Sequence, residues 1–163
     1  MLKKIIFTLI IAVGIGFAAA HCNHTPPTVT AKVYFVDYEM MRLLPHKVEI
    51  FDSTPKKEGQ QILNMLIEGD DGNETIFRTI PDIPGCMTVK VENNNAIVDI
   101  KQEMIDNHPE GRNSEVLTIY SIVKSLVSID GITGVRFTIN GKIQKNFMGY
   151  VDMRETFIFD EYV

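Results

Sequence analysis

Residues 87–100, MTVKVENNNAIVDI, carry the pattern that decides the fold. Apolar and polar residues alternate up to Glu92, and an apolar run follows from Ala96, so each half predicts a strand. Asparagine tolerates the positive φ of a tight turn, which places the reversal of the chain within residues 93–95. The sequence therefore predicts a β-hairpin at its centre.

A helix is predicted on each side of this hairpin. The first is capped by Thr54, has proline at its first position, and ends at Gly69. The second is capped by Asn113 or Ser114, with Glu115 placed against the positive end of the helix dipole. Its apolar residues recur at helical spacing: Val116, Ile119, Tyr120, Val123, Leu126 and Val127. We expect this second helix to be the best buried element.

Further strands complete the predicted order of elements. They cover residues 32–37, 47–51, 75–80, 135–139 and 156–159, with a loop at residues 44–46 and a turn at Asn140-Gly141. Hairpin-linked strands with only two helices predict an α+β fold. We expect a two-layer sandwich, in which a largely antiparallel or mixed sheet carries both helices on one face. The length suits a single domain at residues 32–163, after an extended linker at residues 23–31.

The N-terminus has the layout of an export signal. Lys3 and Lys4 precede an apolar run at residues 5–20 that ends in small residues. Sixteen residues fall short of the roughly 20 that cross a bilayer, so a signal is favoured over a permanent span. We assign residues 1–22 to a signal peptide or lipoprotein signal. Three outcomes stay open, namely lipidation, cleavage after Ala20, and retention as a short anchor.

Cys22 is the candidate site of lipid attachment. The residues Ala19-Ala20-His21-Cys22 resemble a bacterial lipobox, although a small residue is expected where His21 stands. Cys22 also lies between His21 and His24, and imidazole with thiolate is a possible metal-ligand set. Two prolines follow immediately and indicate an extended tether, which argues against a rigid metal loop. We therefore predict no metal site and no cofactor.

The charge pattern excludes one class of partner. The formal net charge is −5, and the sixteen basic residues are scattered along the chain. Nucleic-acid binding needs clustered lysine and arginine to displace counterions, so no nucleic-acid partner is predicted.

Candidate catalytic residues are few. His108, with Asp106 and Ser114 nearby, suggests a hydrolytic triad, yet His108 falls in a segment that looks like a solvated loop, where such residues cluster for ordinary reasons. Asp99 and Asp152 form a possible pair of carboxylates for glycoside cleavage, but strand-end carboxylates commonly accept backbone N–H groups instead.

Cys86 follows a Pro-Gly turn, and no adjacent cation is evident that would lower its pKa. We therefore interpret it as a small buried residue rather than as a nucleophile. No catalytic residue is predicted, and a small envelope hydrolase acting on peptidoglycan is kept as the alternative function.

Several short motifs together carry a family resemblance from residue 31 to residue 159. They are Val33-Tyr34-Phe35, residues 63–69, Ile80-Pro81, residues 94–100, the helix at residues 119–126, residues 135–141, and residues 149–153 before Phe157. In this order they resemble the GerMN domain of the GerM spore germination and sporulation lipoproteins. Members often carry two copies of the domain, whereas this chain has room for one.

The resemblance implies a non-enzymatic, extracytoplasmic domain similar to ring-building modules. It would act in the envelope complex between mother cell and forespore. The expected partners are envelope proteins or further copies of the chain, with the membrane reached through the N-terminal segment. The expected location is the outer face of the cytoplasmic membrane, whether the chain is anchored there or secreted.

Overall fold

The computed structural model describes residues 26–37, 39, 41–70 and 75–161. Its elements are β1 (Thr28–Asp37), β2 (Arg42–Phe51), α1 (Pro55–Glu68), β3 (Ile76–Phe77), β4 (Met87–Glu92), β5 (Asn95–Ile100), α2 (Gln102–Asp106), α3 (Arg112–Leu126) and β6 (Gly134–Ile139). β1 begins at Thr28, so residues 28–31 of the predicted linker belong to a strand. The predicted signal segment, Cys22 included, lies outside the described residues.

The strands form two three-stranded sheets. One has the order β2-β1-β3 with antiparallel pairing throughout, and the other has the order β4-β5-β6. In the second sheet β4 and β5 are antiparallel, whereas β5 and β6 are parallel. α1 packs against β1, β2 and β4, while α3 packs against β1, β2 and β6. The predicted α+β class with antiparallel and mixed pairing is confirmed, with the strands divided between two sheets.

The central hairpin is confirmed in detail. Glu92 pairs with Asn95, so Asn93 and Asn94 alone make the turn, with φ of 49° and 62°. Positive φ at both central positions is the geometry that suits a two-residue hairpin, and asparagine adopts it readily. The predicted turn at Asn140 is of the same kind, since its φ is 49° and that of the following glycine is 74°.

The apolar core is continuous between the sheets and α3. Ile119, Ile122, Val123 and Leu126 are each fully buried. Ten of the fifteen residues of α3 are buried, against six in α1, so α3 is the best buried element, as predicted. Five of those ten are polar or charged, which shows that α3 buries more than its apolar stripe; they are Glu115, Thr118, Ser121, Lys124 and Ser125.

Serines of α3 and its C-terminal turn close the edge of β1 that faces away from β2. Ser125 Oγ accepts the backbone N–H of Tyr34 at 2.8 Å, and Ser121 Oγ donates to the Tyr34 carbonyl at 2.6 Å. Ser128 Oγ accepts the N–H of Lys32 at 3.2 Å. We call Ser121, Ser125 and Ser128 the serine row. Its hydroxyls take the place of a neighbouring strand, so β1 keeps its backbone hydrogen bonds where no strand pairs with it.

The serine row also explains why β2 is longer than predicted. Tyr34 lies opposite Pro45 in the register of β1 and β2. Because the backbone of Tyr34 bonds to serines, this pair exchanges no backbone hydrogen bonds, and the missing N–H of Pro45 costs nothing. The predicted loop at residues 44–46 is therefore wrong, and β2 runs without a break from Arg42 to Phe51.

Two glutamines of α1 act on strand edges in the same way. Gln60 accepts the N–H of Val89 at 3.2 Å and donates to the Met87 carbonyl at 3.1 Å. Gln61 accepts the N–H of Phe51 at 2.9 Å and donates to the Phe51 carbonyl at 3.1 Å. Because these side chains occupy the outer edge of β4 and the end of β2, α1 lies between the two sheets.

Two further strand predictions are corrected. The strand at residues 75–80 is reduced to β3, and that at residues 156–159 to a single bridge between Val135 and Phe157. Phe157 exchanges two backbone hydrogen bonds of 2.8 Å with Val135, and its ring packs edge-on against Phe137 and Tyr120. The polar stretch at residues 102–106 forms α2, which was not predicted.

The start of α3 also differs from the prediction. The helix begins after Gly111, whose φ is 114° and whose carbonyl accepts the Glu115 N–H at 3.1 Å. Neither Asn113 nor Ser114 is therefore its N-cap. A glycine reaches that φ without the steric cost that a side chain would add, so the backbone selects the start of the helix here.

Truncation of the core side chain Leu126 tests the burial of α3. Leu126→Ala is expected to lower the free energy of unfolding by about 2–5 kcal/mol, because it removes a fully buried side chain and leaves a cavity. Ile143, which is 58% exposed, provides the matched control. In urea denaturation, the free energy of unfolding of Ile143→Ala should stay close to that of the native protein. An equally small change in Leu126→Ala would contradict the assigned core.

The serine row has a test of its own. Ser125→Ala leaves the N–H of Tyr34 buried without its acceptor, which is expected to cost about 1–3 kcal/mol of unfolding free energy. Ser114→Ala, in the first turn of the same helix, is the control for removing a hydroxyl. Thermal and urea unfolding measure the stability of both variants. Equal stability of Ser125→Ala and Ser114→Ala would show that the hydroxyl of Ser125 is dispensable.

Candidate functional site

His108 is buried, with 6% of its surface exposed, so its predicted place in a solvated loop is wrong. Its Nδ1 lies 2.7 Å from the Pro109 carbonyl, which can only accept, so Nδ1 carries the proton. Its Nε2 accordingly accepts from the Thr118 hydroxyl at 2.9 Å. The ring also meets Phe147 edge-on at 5.1 Å. Both nitrogens are therefore engaged in holding the start of α3.

The triad suggested by the sequence is not assembled around this histidine. Asp106 accepts from Gln102 at 2.9 Å within α2. Among the described residues, the hydrogen bonds of His108 go to Pro109 and Thr118, and neither Asp106 nor Ser114 is a partner. Burial lowers the pKa of His108, while the Pro109 carbonyl and the charge of Glu115 oppose that shift.

Glu115 has a structural role that the sequence did not reveal. Its side chain is 1% exposed, and its Oε1 accepts the backbone N–H groups of Met148 at 3.2 Å and Tyr150 at 3.1 Å, and that of Val151. The carboxylate therefore fastens residues 148–151 to α3. A carboxylate in the first turn of a helix is common for reasons of the helix dipole. Nothing in the local pattern distinguishes this one.

Asp99 and Asp152 accept backbone N–H groups, as expected for strand-end carboxylates. Asp99 accepts from the Gly141 N–H and from the Thr138 hydroxyl, each at 2.6 Å. Asp152 accepts from the Arg154 N–H at 3.0 Å, and its hydrogen bonds to the Arg154 side chain lower its pKa to about 2. Each carboxylate is thus committed to a turn of its own.

Cys86 is fully buried, which confirms its interpretation as a small core residue. Burial raises the pKa of its thiol, and the charge of Glu103 adds to this, while its own backbone and Lys101 oppose the shift. The thiolate is the nucleophilic form of cysteine, so a raised pKa disfavours attack by this side chain.

Among the described residues, no three His, Cys, Asp or Glu side chains are grouped as metal ligands, and the cluster at residues 21–24 falls outside this part of the chain. Within the same part, none of the helices combines the length and apolar character of a bilayer span.

A groove of about 350 Å³ lies between β1 and α3. We call it the lysine groove, and its lining includes Lys32, Lys47, Lys124, Tyr34, Phe159 and Ser128. Lys32 and Lys47 lie directly opposite each other on β1 and β2. The N–H of Lys32 bonds to Ser128, so Lys32 and Lys47 form no backbone hydrogen bonds with each other. In antiparallel sheets the side chains of such non-hydrogen-bonded pairs lie closest together.

Lys124 brings a third cation to the groove from α3. It is only 5% exposed, and its Nζ lies 5.2 Å from the ring centre of Phe159 and 5.9 Å from that of Tyr34. Both distances suit a cation–π interaction. Burial lowers the pKa of Lys124, and the charges of Asp160 and Glu161 oppose that shift.

The lysine groove was not identified from the sequence. Its lysines are separated by 15 and 77 positions and belong to three different elements, so no linear motif joins them. The cross-strand pairing of Lys32 with Lys47 follows from a β1–β2 register that the predicted loop at residues 44–46 obscured.

The burial of His108 predicts how stability depends on pH. Its pKa is lowered from 6.5 in the folded state, so below pH 6.5 the unfolded chain takes up a proton that the folded chain excludes. This contribution is complete above pH 6.5 and is lost as the pH falls through the folded pKa. Urea unfolding at pH 7 and pH 5 should show a smaller loss in His108→Asn than in the native protein; equal losses would contradict a buried neutral imidazole.

Three solved structures are similar in fold to this chain. A candidate lipoprotein from Clostridium perfringens is 17% identical, with a TM-score of 0.58 over 80% of this chain and 87% of that one. The first GerMN domain of the sporulation protein GerM from Bacillus subtilis is 18% identical, with a TM-score of 0.57 over 83% and 100%.

The tandem GerMN domains of the same Bacillus subtilis protein are also 18% identical. Their TM-score is 0.62, over 81% of this chain and 46% of that one, so this chain spans about half of the tandem structure. At these identities the likeness concerns the fold. No curated protein matches the chain.

A family model is more specific than these structural likenesses. The model described as Germane, sporulation and spore germination, matches residues 32–145. That range includes the three described helices, the described strands apart from the first four residues of β1, and the motifs of the resemblance up to residue 141. The chain therefore belongs to the Germane family of sporulation and spore germination domains.

Proposed function

We propose that this chain is a membrane-tethered scaffold or adaptor module of a bacterial envelope complex, acting outside the cytoplasm in sporulation or spore germination. Membership of the Germane family supports the process, and the likeness to a candidate lipoprotein supports the location. The module works by contact with envelope proteins or with further copies of itself, and it turns over no substrate.

The observation that carries the proposal is the use of polar side chains within the fold. His108 bonds to Pro109 and Thr118, Glu115 holds a backbone segment, and Asp99 holds the Gly141 turn. A general acid, base or nucleophile must instead be within hydrogen-bond reach of a substrate. These side chains would have to release their structural partners before they could act in catalysis.

The strand edges bear on how such a module would meet its partners. The serine row closes one edge of β1, and Gln60 closes the outer edge of β4. On the outer side of β2, Pro45 offers no N–H and so hinders the addition of a strand. We therefore favour contacts through side chains. Exposed apolar residues available for them include Ile143 and Tyr150.

Alanine replacement separates a scaffold from a hydrolase. His108→Ala, Asp99→Ala and Cys86→Ala are each introduced into a sporulating host, and heat-resistant spores are counted. Loss of spores is expected to follow loss of stability, because each side chain supports the fold; removal of the His108 bonds should cost about 1–3 kcal/mol. Thermal unfolding of each purified variant supplies the comparison.

Two other outcomes would contradict the scaffold. A variant that abolishes spore formation at an unchanged thermal midpoint would identify a catalytic residue and overturn the scaffold. Hydrolysis of peptidoglycan fragments by the purified native chain would do the same. Fractionation of native and Cys22→Ala cells tests the tether, since native protein released into the medium would contradict anchoring.

A further inference from the structure

The lysine groove holds two cations that the fold does not neutralise. Among the described residues, no carboxylate lies within ion-pair distance of Lys32 or Lys47. Glu49, two residues beyond Lys47 on β2, accepts a hydrogen bond from the Thr30 hydroxyl at 2.8 Å. Like charges placed directly opposite each other on neighbouring strands are destabilising. An external anion would relieve this repulsion.

The groove lies close to the start of the folded domain. Thr28 begins β1 only six residues after Cys22. An extended chain spans at most about 3.6 Å per residue, so this connection reaches about 20 Å. Lys32 lies four residues along β1, about 13 Å further at the rise of a strand. A tether at Cys22 therefore allows the groove to reach the membrane surface.

The rim of the groove has the apolar character of a membrane-contacting surface. Phe159 lines the groove with 48% of its surface exposed, and the neighbouring Ile158 is 65% exposed. Basic side chains beside exposed aromatic and aliphatic groups suit the interface, where cations meet phosphates and apolar groups enter the headgroup boundary. An acidic protein segment would use the lysines but would give less reason for these exposed apolar side chains.

We propose that the lysine groove binds anionic phospholipid headgroups of the membrane to which the chain is tethered. This inference rests on the proposed tethering and deepens it, because it gives the anchored domain a preferred orientation. Lys32 and Lys47 contact headgroup phosphates, and Phe159 with Ile158 enters the headgroup layer. The face of the domain away from the groove is then turned toward its protein partners.

A single tryptophan reports this contact. The chain contains no Trp, so Phe159→Trp places one indole at the rim of the groove. The full chain is reconstituted with vesicles of phosphatidylcholine, alone or mixed with phosphatidylglycerol. On the anionic vesicles we expect a blue-shifted emission and at least about two-fold stronger quenching by brominated lipid, because the indole enters the interface. At 1 M salt, where the Debye length is about 3 Å, the difference should disappear.

Charge reversal supplies the matched control. In the Phe159→Trp background, Lys32→Glu with Lys47→Glu should abolish the response to anionic lipid while keeping a like-charged cross-strand pair. Lys90→Glu with Lys142→Glu makes the same change in net charge at exposed lysines of the other sheet and its following turn, and should retain the response. Circular dichroism establishes that each variant is folded.

The outcomes separate this inference from the tether. If the protein floats with both kinds of vesicle and its tryptophan emission is the same on each, headgroup binding is overturned while the tether is retained. The groove would then be assigned to an acidic protein partner. Loss of the response in both double variants would also overturn it, because net charge would then suffice. Flotation with neither mixture would overturn the tether and the headgroup site together.

Discussion

The structure depends on the rule that backbone N–H and C=O groups withdrawn from water must find partners. β1 pairs with β2 along its whole length but with β3 only at Val36 and Asp37. Its remaining edge is satisfied by hydroxyls, since Ser125 and Ser121 bond to Tyr34 and Ser128 bonds to Lys32. This requirement fixes the rotation of α3 about its axis and, with it, the burial of the apolar stripe.

The same rule explains where the other polar side chains are used. Gln60 and Gln61 bond to the edges of β4 and β2, and Glu115 gathers the backbone of residues 148–151. His108 and Asp99, the most obvious candidates for chemistry, are likewise committed to neighbouring groups. These polar side chains form hydrogen bonds to the backbone within the fold, so the interactions left for a partner are those of surface residues. That is the physical basis for proposing contact rather than catalysis.

The lysine groove is a consequence of the same packing. α3 can bond to the edge of β1 only by crossing beside it, which brings Lys124 next to Tyr34. The bond from Lys32 to Ser128 sets the spacing of Lys32 and Lys47 across the sheet. Two lysines thus face each other, without a carboxylate within ion-pair distance among the described residues, on a protein whose formal net charge is −5. Local arrangement, and not net charge, decides what such a surface attracts.

The sequence by itself determined the elements whose signals are local. Alternation and a turn of two asparagines specified the central hairpin, helical spacing specified α3, and Gly69 ended α1, because each depends on residues within one turn or one strand pair. Only the tertiary structure decided that the strands form two sheets, that Pro45 lies inside β2, and that His108 and Glu115 are buried. It also brought Lys32, Lys47 and Lys124 together. These outcomes depend on contacts between residues far apart in the chain, and no local pattern encodes such contacts.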